Sequence, residues 1–204
     1  LIAVTGDPPH VGPFDRWASR VNDIKSSVEL LRLLSLMRSG ELLNGQPLPE
    51  PVDFCAGCGY APTTNLTAQT QWLKRKVQAG AEFAFTQPIY MQEDFERIQK
   101  ATMDLGIPIF VGILPLTSAR QISYLRSGKI PGISVPEPVE EFILKYDNPA
   151  DQARAGLDLA EQLIADLAER VSGFYIVMPF HKNGFEWTAN LVKLATTFKT
   201  KNAN

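Results

Sequence analysis

Several short patterns in the chain carry side chains able to do chemistry. Asp7 follows an apolar run, LIAVT, in the order Gly6-Asp7-Pro8-Pro9. A carboxylate at a strand exit either accepts hydrogen bonds from a ligand or caps its own Asp-Pro-Pro turn. Gln87 ends a second run, FAFTQ, and is followed by Pro88. Its neutral amide offers donor and acceptor together, for a ligand edge that carries both or for loop backbone. Lys74-Arg75-Lys76 is by its charge a solvated helix face. Cys55-Ala-Gly-Cys58 has the C-x-x-C spacing of redox and zinc sites. A reactive pair of that kind opens a helix, where the dipole lowers the thiol pKa. These two fall inside a strand, where side chains three apart face opposite sides. With His10 and His181 a four-ligand zinc site can be counted, but the expectation is core cysteines, loop histidines and no metal.

The elements that must position these groups alternate. Residues 1–5 read as a buried strand. Ser26-Ser-Val-Glu29 has capping-box spacing and opens an amphipathic run over 28–37, stopped by Gly40. Residues 53–60 (DFCAGCGY) are a short apolar segment, 66–79 a helix stopped by Gly80, 83–87 a strand, and 94–105 a helix ended by Gly106. Residues 107–114 (IPIFVGIL) form a strand, Ser118 caps the next helix, and the acidic stretch 137–141 begins another after Pro136. Asn148-Pro149 introduces a long helix with Ala153, Leu157, Ala160, Leu163 and Leu167 at helical spacing. A strand at 173–178 and a helix at 185–196 follow, and 199–204 read as a frayed polar tail.

Five strand–helix units of this kind predict an α/β fold with a parallel sheet covered on both faces. An open doubly wound sheet and an arc of a (β/α)8 barrel both fit. Pro, Gly and polar residues cluster just after the strands, at the end where both architectures bind ligands. No glycine-rich dinucleotide fingerprint follows a strand, which favours the TIM barrel. Five units cannot close eight, so the expectation is the C-terminal five β/α units with the first three missing. Residue 1 is Leu and already lies in a core strand, so the chain reads as the downstream part of a longer polypeptide. The expected organisation is a partial barrel over 1–198 and a polar tail over 199–204.

Composition narrows the class. The 204 residues are 45% hydrophobic and 21% charged, which excludes disorder and fibrous repeats. A net charge of -2 lacks the basic excess of a nucleic-acid binder. No apolar stretch is long enough to span a bilayer. Two cysteines make no disulfide scaffold, so a reduced, cytoplasmic setting is expected.

The ordered set VTGDPP, LKRKVQAGAEFAFTQP, GILPLTS, IPGISVPE and a last strand ending in MPF resembles the methylenetetrahydrofolate reductase family. The resemblance runs from residue 1 to about residue 193 and is closest to the branch often fused to a homocysteine methyltransferase domain. It implies strands four to eight of a flavin-dependent barrel that binds FAD non-covalently. NAD(P)H would be the co-substrate and a folate the substrate. By resemblance Asp7 and Gln87 are catalytic and substrate-binding. Asp7 holds a pterin edge and its charge tunes the flavin; Gln87 orients both substrates. Thr5, Asp7, Trp72, Lys76 and Ala81 are expected cofactor contacts, with Trp72 either stacking on adenine or packing as a core aromatic. Lys182 would bring charge to the substrate.

Three positions depart from the family pattern. Tyr60 stands one place before the usual polar or aromatic residue, so its side chain is expected to point the other way. Ala119 stands where the family has a stacking Tyr or Phe, and Gly184 falls near the family's Arg. The expected function is reduction of 5,10-methylenetetrahydrofolate to 5-methyltetrahydrofolate. The proton donor would lie on the missing strands. The alternative is a degenerate, non-catalytic flavin- or folate-binding accessory of a methyltransferase system. Expected partners are the upstream polypeptide or a fused methyltransferase domain, with a homo-oligomer open and neither nucleic acid nor membrane involved.

Overall fold

A computed structural model describes residues 1–4, 24–50, 52–130 and 132–201. Five strands form one parallel sheet: β1 (Ile2–Ala3), β2 (Gly57–Tyr60), β3 (Phe83–Pro88), β4 (Ile109–Ile113) and β5 (Gly173–Ile176). Each lies beside its predecessor, in the order 1-2-3-4-5. A doubly wound sheet reverses its strand order at a switch point, and no reversal occurs among these five strands, an order consistent with an arc of a barrel.

The helices are α1 (Ser27–Arg38), α2 (Leu66–Gln78), α3 (Gln92–Thr102), α4 (Ala119–Arg126), α5 (Glu137–Leu144), α6 (Pro149–Leu167) and α7 (Gly184–Lys201). Their starts follow local chemistry. Ser26, Asn65, Ser118 and Asn148 each accept the backbone N–H three residues on, at Glu29, Ala68, Gln121 and Asp151. Pro149 fills the first position of α6, where its missing N–H costs nothing. Gly80 (φ +106) and Gly106 (φ +67) take the left-handed conformation that ends the helical runs before β3 and β4. The last helix runs further than expected, through Lys201.

Alternation along the strands sorts the side chains. Ala3, Cys58, Ala84 and Val111 are buried in one core with Leu31, Leu73, Ile98 and Ile164 of the helices. The residues that alternate with these point to the other face. It carries aromatic rings: Phe85 lies 5.4 Å from Phe83, 5.2 Å from Phe110 and 5.2 Å from Tyr175, centroid to centroid. Phe83 covers Gly57, where any side chain would collide with its ring. A second, smaller core of Leu116, Ile122, Leu125, Val139 and Ile143 forms beyond the end of β4.

Candidate active site

All five strands run the same way, so their carboxyl ends share one rim, and β3 delivers Gln87 to it. Phe85 pairs with Phe110 but Pro88 pairs with Gly112, so β3 spends three steps where β4 spends two. This bulge is held by Thr86 Oγ1, which accepts the Gly112 N–H at 2.8 Å. A Cβ on Gly112 would lie 2.7 Å from the Thr86 carbonyl oxygen, so glycine lets the bulged backbone settle against β4. Bulges of this kind re-aim a side chain near a functional site.

The bulge brings the half-buried Gln87 to the exit of β2 and to the loop after α4. A Cβ on Gly132 would sit 2.9 Å from Ala61 Cβ and 3.1 Å from Gln87 Cγ. Gly132 also has φ +86, so both its backbone and its surroundings call for glycine. Thr63 Oγ1 donates to the Gly132 carbonyl at 2.9 Å and latches this loop to β2. Beside it the inward position Gly59, paired with Phe85, faces open space, with nothing within 4 Å of a built Cβ. The result is an open bay over Gly59 beside Phe85, with the stem of Gln87 packed against the Gly132 loop.

The loop leaving β4 is equally fixed. Gln121 Oε1 accepts Thr117 N–H at 2.7 Å and Thr117 Oγ1–H at 2.9 Å, while its Nε2 donates to the Pro115 carbonyl at 3.3 Å. Beneath, Gly156 of α6 is buried against the Leu116 carbonyl, and a Cβ there would collide with it. Sequence reading singled out none of Thr63, Thr86, Gly112, Gly132 or Gly156, and it placed Gln121 only in the cap that Ser118 opens. Most of their roles are contacts between distant segments, and the motifs GILPLTS and IPGISVPE marked two of these loops without reporting the contacts.

The other expected site residues stand apart from Gln87. Thr5, Asp7 and His10 lie outside the described residues. Lys76 is buried between α2 and β2, and its Nζ donates to the Gly59 carbonyl at 2.6 Å. Burial pulls its pKa down, with a small opposing effect from Cys58. Ala81 is buried, and its N–H donates to the Lys76 carbonyl at 3.0 Å. Trp72 is half-buried against the main core, with the Arg75 guanidinium 5.6 Å from its ring centroid. Lys182 is exposed on the turn between β5 and α7.

Tyr60 does turn away from the bay. It is buried under α2, and its hydroxyl hydrogen-bonds Thr70 Oγ1 at 2.7 Å. Ala119 opens α4 in an exposed position. Gly184 has no room for any side chain, because a Cβ would run into the Pro179 carbonyl. Cys55 is exposed and Cys58 buried. No group of three His, Cys, Asp or Glu suited to a metal occurs among the described residues, and none of their helices is long and apolar enough to cross a membrane.

Fold and rim together define a parallel β/α protein whose strands end on one common rim. A sequence model of the family described as methylenetetrahydrofolate reductase matches residues 1–183, and the chain belongs to that family. It is 24% identical to methylenetetrahydrofolate reductase 2 of Saccharomyces cerevisiae over 95% of this chain and 30% of that protein. It is 27% identical to methylenetetrahydrofolate reductase 1 of Schizosaccharomyces pombe over 82% of this chain and 26% of that one. The chain therefore spans less than a third of these relatives. In fold it is similar, with a TM-score of 0.51 and 15% identity, to a Clostridium thermocellum protein that binds two copies of 5-methyl-5,6,7,8-tetrahydrofolic acid. That likeness covers 72% of this chain and 55% of the other.

Proposed function

We propose that the chain is the C-terminal part of a (β/α)8 barrel that reduces 5,10-methylenetetrahydrofolate to 5-methyltetrahydrofolate with NAD(P)H and a non-covalent FAD. The observation that supports this reading is Gln87 at the carboxyl end of β3, set by the bulge against the Gly132 loop and the exit of β2, on the rim next to the open space over Gly59. Membership of the family supports the reaction, and a folate-binding protein of similar fold is in keeping with the substrate.

The bay fits a flat ring: glycine at position 59 leaves the space open, and Phe85 beside it offers an apolar surface. A bound flavin would store the two electrons of a hydride, letting nicotinamide and folate use one face in turn. Gln87 would serve both, because its amide matches a pterin edge and a nicotinamide carboxamide equally. Asp7 would hold the pterin edge and Thr5 the cofactor. Lys182 would bring positive charge to the anionic end of the substrate. Trp72, Lys76 and Ala81 would contact the cofactor, Lys76 with the donors that it does not give to Gly59 and Ala81 through its backbone, and the proton donor would come from outside this chain.

Closure by three further units is supported by the apolar groups that both edge strands hold open to solvent. Ile2 is 50% exposed and Tyr175 is 45% exposed. An upstream segment or a fused methyltransferase domain, a homo-oligomer and a cytoplasmic setting within one-carbon metabolism and methionine biosynthesis belong to the same proposal.

The test is to purify the full-length protein and record its flavin spectrum. NADH or NADPH should bleach it, and methylenetetrahydrofolate should restore it. A flavin that is retained and reduced but never reoxidised by the folate overturns the reaction. The second reading, a non-catalytic accessory of a methyltransferase system, draws on Gly184, whose backbone admits no Arg. It predicts bound flavin or folate without turnover.

A further inference from the structure

Gln87 reaches the rim with its amide uncommitted. The side chain is half-buried and makes no hydrogen bond with the described residues. A glutamine carries three rotatable bonds and much rotamer entropy, so an amide without an internal partner is oriented by whatever packs against its stem. Here Gly132 does so. A Cβ built there would lie 3.1 Å from Gln87 Cγ, 3.7 Å from Gln87 Cδ and 2.9 Å from Ala61 Cβ, which puts the Gly132 backbone in a slot between the exit of β2 and the glutamine stem.

A hydrogen bond ties that backbone into the slot from the β2 side, where Thr63 Oγ1 donates to the Gly132 carbonyl at 2.9 Å. The tie starts from fixed ground. Pro62 before it is buried, Thr64 Oγ1 after it donates to the Ala61 carbonyl at 3.3 Å, and Asn65 caps α2. On its other side the loop is held by apolar contacts, with Val135 buried in the smaller core and Ile130 and Ile133 packed against it. Those contacts seat the loop on its own core, and the Thr63 hydroxyl draws it towards β2 and Gln87.

We propose that Thr63 is a positioning residue of the ligand site: by holding the Gly132 carbonyl it keeps the loop against Gln87 and presets the amide for the edge of the bound ring. The inference rests on the reading of Gln87 as a substrate contact, and it adds to that site a residue from another strand–helix turn, acting at one remove. A preset amide gives up less rotamer freedom on binding, so release of the latch costs affinity even where the fold is kept. That loss passes through Gln87, which separates positioning from ordinary stabilisation of the rim.

Calorimetric titration of the full-length protein with 5-methyltetrahydrofolate tests it in a cycle of wild type, Thr63→Val, Gln87→Ala and the double variant. Thr63→Val keeps the shape and removes the donor, and it should weaken binding about threefold to tenfold. Thr63→Ser keeps the donor and should bind within about twofold of wild type. In the Gln87→Ala background Thr63→Val should change the affinity by less than about twofold. An equal loss in both backgrounds means that Thr63 only stabilises the rim and overturns the proposal, as does a Thr63→Val affinity within about twofold of wild type. Thermal melts of the same four proteins without ligand give a second readout. The double variant should lose at least about 1 °C less than the sum of the single losses, because both substitutions act on one packed contact. Failure of the wild type to bind the folate removes the substrate reading, and the melts then decide whether Thr63 holds Gln87: a shortfall supports it and additive losses overturn it. Thr63→Ala replaces Thr63→Val should the latter not fold.

Discussion

The Nζ of Lys76 donates a 2.6 Å hydrogen bond to the backbone carbonyl of Gly59, tying the last turn of α2 to β2. The ammonium is buried, and burial holds its pKa below the ordinary lysine value. Cys58, next to Gly59 and wholly buried, is shifted the other way, because burial raises the thiol pKa and the nearby Lys76 charge only partly offsets this.

These shifts set opposite pH dependences. The cost of burying charged Lys76 is fully present below its folded pKa. It is relieved as pH rises from there to the unfolded value, because the unfolded chain then holds more protons. The raised Cys58 contributes stability that is present below the unfolded thiol pKa and lost as pH rises through the folded one. Urea denaturation between about pH 7 and pH 10 checks this. Wild type should gain on Lys76→Met with rising pH and lose on Cys58→Ala. At neutral pH Lys76→Met should lie within about 1 kcal/mol of wild type or above it, since the buried stem is kept and the buried charge removed.

Tyr60 and Thr70 share a buried hydroxyl pair, and each single deletion leaves the other hydroxyl without its partner. Tyr60→Phe and Thr70→Val should each lower stability by about 1–2 kcal/mol. The double variant should fall short of their sum by about 1 kcal/mol. Chemical denaturation of the four proteins measures the coupling.

Gly156→Ala should displace the loop after β4, because the new methyl would take the space of the Leu116 carbonyl. A loss of about 2–3 kcal/mol in thermal melts is expected, with a similar loss for Gly184→Ala against the Pro179 carbonyl. By contrast Gly59→Ala faces open space and should cost no more than about 1 kcal/mol. A reversed ranking would contradict the packing of both loops.

Cys55 is exposed and Cys58 wholly buried. A thiol reagent should modify one cysteine in the native protein and both after denaturation, followed by intact mass. Rapid native labelling of Cys58 would show that the layer between α2 and β2 opens readily.

The caps at Ser26, Asn65, Ser118 and Asn148 use groups within three residues of one another, so the chain order reports them directly. The same holds for the strands: apolar runs between helix stops give their positions, and the alternating order gives a parallel sheet. Tyr60 was legible for the same reason, since one step along a strand reverses a side chain. Motif resemblance put Gln87 at a strand exit.

What local order cannot report is where a side chain ends. Lys76 sits in a run of three cations that reads as solvated, yet its ammonium finds the Gly59 carbonyl beneath the sheet. The bulge that aims Gln87 depends on Thr86 meeting Gly112, 26 residues away. The Gly132 loop depends on Thr63, 69 residues away. The sequence by itself determined the elements, their order and the family, because propensity, capping and periodicity act over a few residues. Only the tertiary structure decided which face stays open, where glycine is obligatory and which cation is buried, because those follow from close packing between segments far apart in the chain.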